Sequence, residues 1–156
     1  MNRSEIVDDS IARYGVVAVV VRQSKLLVIR RSQNVIAPGQ FCFPGGGIET
    51  GEPEEIALCR EMQEELRVDV RPIRRLWRSV TPWRIALAWW LTEIDTPESC
   101  DPNPDEVESV HWHTIAEIAD LPDLLPSNHD FLAAYDRGEF HLPLAEDEPP
   151  LNPAGS

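Results

Sequence analysis

Three glycines, Gly45 to Gly47, are followed closely by a segment in which Leu58, Met62 and Leu66 recur every fourth residue, with Glu61, Glu64 and Glu65 set between them. The apolar period is that of a helix with one buried stripe. Pro53 suits its first turn, and Glu54 and Glu55 follow where the macrodipole favours acids. The spacing therefore predicts a helix over about residues 53–66. On it, the three glutamates lie at i, i+3 and i+4 and share one face. Like charges that close destabilise a bare helix, so the arrangement calls for a cation. Hard oxygen ligands favour Mg²⁺, with Mn²⁺ as a substitute, over zinc.

Charge makes the same demand independently. A net charge of −13 argues against long nucleic acid, which needs a basic track for its phosphates. A small phosphorylated ligand stays open if something cationic reverses the field locally, and a bound divalent metal does that. The 156 residues suit one domain with a single substantial core. The longest apolar run, residues 16–21, fits a buried strand and is far too short to cross a bilayer. Residues 1–10 mix Arg3 with Glu5, Asp8 and Asp9 and lack the pattern of a secretory signal. Cys42, Cys59 and Cys100 are odd in number with no CxxC, which points to a reducing cytoplasm rather than a disulfide framework or a zinc knuckle.

Residues 14–22 and 26–31 read as a hairpin across Gln23, Ser24 and Lys25. A loop over residues 32–40 leads to a short strand at residues 41–43, which Pro44 and the glycines are expected to break. Residues 68–80 and 84–94 read as two longer strands. The second is apolar on both faces, with Ile85, Leu87, Trp89 and Leu91 on one and Ala86, Ala88 and Trp90 on the other. Such a strand is covered on both sides, which implies helices on each side of a sheet. A further strand is expected at residues 107–113 and a helix at residues 131–137. One domain is thus read over residues 1–138. Residues 139–156, rich in acids and prolines, read as a poorly ordered tail.

The stretch GGIETGEPEEIALCREMQEELRV, residues 46–68, resembles the Nudix box, G-x5-E-x7-R-E-U-x-E-E-x-G-U with U aliphatic. Gly46, Glu52, Arg60, Glu61, Met62, Glu64, Glu65 and Val68 fall in register, and only Arg67 replaces the second glycine. An exposed acidic helix would leave the upstream Gly46 and Glu52 unexplained. The resemblance implies an α/β/α sandwich with a mixed β-sheet and a reaction in which water displaces a group at phosphorus, with metals bridging the phosphates. It implies that Glu61, Glu64 and Glu65 hold the metals with the carbonyl of Gly45, while Glu52 and Arg60 form an ion pair that fixes the glycine loop. Glu64 and Glu106 are both candidates for the general base. At Arg67 the family glycine ends the helix in a left-handed conformation, where arginine costs of order 1 kcal/mol.

Beyond the box, residues 16–135 resemble the MutT branch, nucleoside triphosphate pyrophosphohydrolases. That likeness places Arg31 at the phosphates and Phe43, of the FPGG segment, at the substrate. Glu106, six residues before Trp112, matches an extra metal ligand, with Glu108 as a competing neighbour. Asn128, in LPSN, falls in the purine-reading segment. Arg31 also suits a solvated strand end, and Asn128 a helix cap. His111 and His113 share a strand face and read as surface histidines rather than ligands. The substrate implied is a purine nucleoside triphosphate, oxidised or not. ADP-ribose or another sugar nucleotide is the alternative, with Pro82 near a proline of those enzymes. A dinucleoside polyphosphate fits less well, since no tyrosine follows the box at the expected place. A Nudix-like sensor that binds without cleaving is the reading from another class.

Overall fold

The computed structural model describes residues 10–144; the readings made for the first nine residues and for residues 145–156 lie outside that range. Strand β1 (Arg13–Arg22) is the spine. Its β-branched run is buried on both faces: Val16, Ala18 and Val20 enter one core, Val17 and Val19 the other. Along one edge it pairs in parallel with β6 (Ile85–Ile94), Val16 opposite Ala88 and Val17 opposite Trp89. Beyond β6, β5 (Val70–Val80) runs antiparallel and forms the outer edge.

The other edge of β1 is shared. Its start pairs with β4 (Gly45–Gly47), and its end with β2 (Lys25–Arg31) across a two-residue turn that sets Arg22 opposite Lys25. Gln23, in that turn, takes φ 59°. Strands β3 (Phe41–Cys42) and β7 (Val107–His113) both pair antiparallel with β2. The sheet is therefore mixed, with one parallel pair.

Helix α1 (Glu54–Leu66) covers one face. Its Ala57, Leu58, Met62 and Leu66 are fully buried against Val16, Ala18, Leu27 and Ile29. The opposite face is covered by α2 (Ile115–Ala119) and α3 (Pro126–Asp136), and its core is aromatic. Trp89 stacks on Phe131 with ring centroids 4.7 Å apart, and Phe43 meets both rings edge-on. Layers on both faces are what the two-sided pattern of β6 requires, and the architecture is the expected α/β/α sandwich.

Several elements differ from the sequence reading, among them α2, which it did not contain. The glycines do not end the sheet: they form β4, and at Gly45 the close approach to β1 leaves no room for a side chain. A Cβ on Gly45 would lie 2.1 Å from the carbonyl oxygen of Val16. Helix α3 starts at Pro126, not residue 131, with proline in its first turn and Leu125 as the residue before it. Strand β5 starts at Val70, since Arg67 turns left-handed (φ 51°, ψ 42°) and Val68 packs into the core. The guanidinium of Arg67 offsets that backbone cost: it donates to the carbonyls of Asp101 and Pro102 and pairs with the Asp101 carboxylate at 3.2 Å.

The described part of the segment read as a tail, residues 139–144, is in contact with the domain. Residues 139–144 pack on the aromatic core: Phe140 lies 4.7 Å from Phe131 between centroids, and Leu142 and Leu144 are buried. Acid and proline counts missed this, because alternate apolar residues alone decide whether a short segment docks. Leu142→Ala should therefore lower stability by about 2–5 kcal/mol, read from the midpoint of urea unfolding; a solvated tail residue would change it by less than about 0.5 kcal/mol.

Candidate active site

Helix α1 is held at both ends, which fixes the face carrying its glutamates. Pro53 precedes it without a side-chain cap. Glu54, in the first turn, ties that end to the sheet: its carboxylate accepts from Trp90 Nε1 and from Arg78, each at 2.8 Å. At the other end, the 101–103 loop supplies donors to carbonyls that no helical N–H reaches. Asp101 N–H donates to Leu66 O and Asn103 N–H to Glu65 O, both at 2.8 Å, and Asn103 Nδ2 donates to Glu64 O at 3.3 Å.

Arg60 lies at the centre of the cluster. It forms a two-point ion pair with Glu52, Nε to Oε2 at 2.9 Å and Nη2 to Oε1 at 2.8 Å. Nη2 also donates to the Gly47 carbonyl at 2.8 Å, which joins helix, glycine strand and Glu52. Nη1 is shared between Glu61 at 3.0 Å and Glu64 at 3.2 Å. The two Arg60 hydrogen bonds to Glu52, with one from Glu49 N–H, hold the Glu52 carboxyl down to about 2. The Glu64 contact has the i,i+4 spacing of a helical ion pair, while those to Glu61 and Gly47 have no signal in the sequence beyond the Glu52 pair.

Glu65 is buried beneath β4, where its Oε1 accepts from Gly45 N–H at 2.9 Å. Burial pushes its carboxyl up to about 8, and the charges of Glu61 and Glu106 add to this against the pull of Gly45 N–H and Arg31. Glu61 is raised by burial and by Glu64 beside it. Gly46 is what admits Glu61: a Cβ there would lie 2.2 Å from the Glu61 carboxyl carbon. Glu64 is the open member, with its side chain 48% exposed against 12% for Glu61. Arg31 lies on this side of the sheet, its Nε donating to the Ile36 carbonyl and its charge felt by Glu65 and Cys42.

Among the described residues no three His, Cys, Asp or Glu side chains converge closely enough to hold a metal ion as they stand. The reason is local: Arg60 Nη1 lies between Glu61 and Glu64, and Glu65 is engaged by Gly45. The donor set nonetheless fits a hard dication. Glu61 and Glu65 are raised by burial and by neighbouring carboxylates, and Glu106 Oε2 is buried with no hydrogen-bond partner. One guanidinium does not neutralise this many acids, and an orphaned carboxylate oxygen costs stability until a cation meets it.

Phe43 and Asn128, both expected at the substrate, are buried. Phe43 is 3% exposed, packed between Trp89 and Phe131, so its ring belongs to the core. Asn128 is neither a helix cap nor an open reading edge. It is 3% exposed inside α3, and its Oδ1 accepts from Phe43 N–H at 2.9 Å. Its amide pins α3 to the strand that leads into the glycines. Glu108 pairs with Arg30 instead of joining the cluster. His111 and His113 stack on each other, and His111 meets Ser109 at 2.7 Å. Pro82 lies in the turn closed by Arg84 N–H on Thr81 O.

Asn128→Ala should strand the buried Phe43 N–H and lower stability by about 1–3 kcal/mol, with kcat/KM falling alike for purine and pyrimidine nucleotides. A purine-specific loss at unchanged stability would restore a base-reading role. The raised carboxyl of Glu65 predicts a pH dependence of opposite sign to ordinary acid denaturation. A carboxyl raised from its ordinary 4.5 to about 8 gives stability that is full below 4.5 and lost as pH rises through 8. In EDTA the Tm should fall as pH rises across that window, and Glu65→Gln should flatten the fall; a Tm equally pH-dependent in both proteins would remove Glu65 as the cause.

Comparison with known proteins agrees with this geometry. Residues 12–135 match the NUDIX domain family. The NAD-capped RNA hydrolase NudC of Stutzerimonas stutzeri is 28% identical over 108 residues, covering 69% of this chain and 38% of that protein. The nucleoside triphosphatase NudI of Escherichia coli is 33% identical over 76 residues, covering 49% of this chain and 47% of that one. The chain thus spans less than half the length of these relatives. A MutT NUDIX hydrolase of Burkholderia pseudomallei superposes with a TM-score of 0.60 at 26% identity, over 78% of this chain and 95% of the other. On the family match across most of its length, with the box residues gathered around Arg60, the chain belongs to the NUDIX family.

Proposed function

We propose that the protein is a metal-dependent pyrophosphohydrolase that cleaves a phosphoanhydride in a small nucleoside-diphosphate-linked substrate. The observation that carries this reading is the carboxylate cluster around Arg60, with an unpartnered Glu106 oxygen, a partly buried Glu61 and a buried Glu65 on its inner side. Glu61, Glu64, Glu65 and Glu106 would hold Mg²⁺, or Mn²⁺ in its place, with the Gly45 carbonyl as a backbone ligand. The metal, when bound, neutralises phosphate charge and lowers the pKa of bound water. Arg31 would bind a phosphate oxygen from the β2 end. Of the two candidate bases, Glu64 is the one whose half-exposed carboxylate solvent reaches, and a base must lie within reach of the water it deprotonates. Glu106 then serves as a ligand. Glu52 acts through Arg60 and positions the cluster.

The substrate we favour is a nucleoside triphosphate, in line with the NudI and MutT likenesses. The match to NudC covers more of this chain and supports a dinucleotide such as NAD as the second reading. The net charge of −13 disfavours a long RNA as partner in either case. No described helix is long and apolar enough to cross a membrane, and we place the protein in the cytoplasm on its cysteine pattern. Incubation with ATP, dGTP, NAD and ADP-ribose in Mg²⁺ separates the readings by their products. A triphosphate gives a monophosphate and pyrophosphate, while a dinucleotide gives two monophosphates. Glu64→Gln should remove at least about 10²-fold of kcat with the Tm in EDTA unchanged; wild-type turnover in that variant at saturating Mg²⁺ would overturn Glu64's role, and no hydrolysis of any substrate would leave a nucleotide-binding sensor.

A further inference from the structure

Asn103 lies in a loop rich in Pro and Asp, 37 residues beyond Leu66, the last residue of α1, yet it touches the glutamate helix and Glu106 at once. Its backbone N–H donates to Glu65 O at 2.8 Å and its Nδ2 to Glu64 O at 3.3 Å. Its own carbonyl accepts from Glu106 N–H at 2.9 Å and Val107 N–H at 2.8 Å. Its Oδ1 accepts from Asp105 N–H at 3.1 Å. One residue thus caps the end of α1 and builds the turn from which Glu106 projects.

We propose that Asn103 is the positioning residue that sets Glu106 against the carboxylates of α1, and so fixes the affinity of the metal these groups would share. The proposal rests on the metal reading given above. Two features single out asparagine. Its amide must donate to a helix-end carbonyl and accept from a turn N–H at the same time, which an amide does and a carboxylate does not. The helix C-terminus is also the negative end of the macrodipole, where a carboxylate is disfavoured. Glu106 needs the support, because its Oε2 has no hydrogen-bond partner that would hold the side chain in place. From the other side the backbone of its turn is tied to the loop after β2: Ser32 N–H donates to Glu106 O at 3.0 Å, and Ser32 Oγ to Asp105 O at 2.8 Å.

The test is Mn²⁺ titration of the full chain by calorimetry, with melting in EDTA recorded alongside. Asn103→Ala should weaken Mn²⁺ binding roughly ten- to hundred-fold, the range seen when outer partners of metal ligands are removed. In a Glu106→Gln background the same substitution should have no further effect, since the two act through one group. Asn103→Asp keeps the shape and the acceptor for Asp105 N–H but loses the donor to Glu64 O. It too should weaken Mn²⁺ binding, although an added negative charge near a cation site would by Coulomb attraction alone tighten it. Tighter binding in Asn103→Asp, an undiminished loss in the Glu106→Gln background, or a lowered Tm with unchanged Mn²⁺ affinity each overturns the proposal. Glu64→Gln is titrated in parallel: if neither it nor Glu106→Gln alters Mn²⁺ binding, the metal reading itself fails and the positioning role falls with it.

Discussion

The guanidinium of Arg60 lies among the glutamates of α1 and is divided among three glutamates and a backbone carbonyl. An exposed ion pair contributes little to stability. This one differs in being bidentate with Glu52 and part of a network, with the Arg60 side chain only 26% exposed, the circumstances in which charge-assisted hydrogen bonds gain strength and geometric specificity. Through Nη2 it fastens the glycine strand to the helix. Through Nη1 it keeps Glu61 and Glu64 from separating. The arrangement is stable enough to persist and still leaves a surplus of negative charge, which is the condition for taking up a dication.

Close backbone approach makes this possible. Strand β4 lies against β1 with no side chain at Gly45 to hold it off, and the space beside Gly46 is filled by the Glu61 carboxyl. Gly45 N–H then reaches the buried Glu65. The sheet's two faces divide the remaining work. The aliphatic core beneath α1 seats the helix by Leu58, Met62 and Leu66. The aromatic core beneath α3, with Trp89, Phe131 and Phe43 in mutual contact, holds the strand that feeds the glycines, and Asn128 pins that strand by its backbone.

The far end of α1 is finished by residues distant in sequence. Arg67 adopts the left-handed conformation that usually belongs to glycine, and its side chain holds the same 101–103 loop that caps the helix carbonyls. The substitution of arginine for the family glycine thus adds a contact where it adds strain. That loop leads directly into Glu106, so the termination of the helix and the placement of the fourth carboxylate are one structural event.

The sequence by itself determined what local periodicity and spacing encode. The four-residue stripe fixed α1, the two-sided pattern of β6 fixed a sheet with helices on both faces, and the spacing of Glu52, Arg60, Glu61, Glu64 and Glu65 marked the cluster. Those signals are legible because each depends on residues within about two dozen positions of one another. Only the tertiary structure decided the rest. Glycines that read as a break pair as β4, because a strand made of glycine owes its place to a partner's backbone and not to its own propensity. Phe43 and Asn128 read as substrate contacts from their motif positions, yet burial commits the ring to the core and the amide to a backbone N–H. Leu142 and Leu144 hide in an acidic, proline-rich end until the aromatic surface they cover is present. The bonds of Asn103 to α1 join loop and helix that meet only on folding, and a hydrogen bond between such residues leaves no periodic trace in the chain.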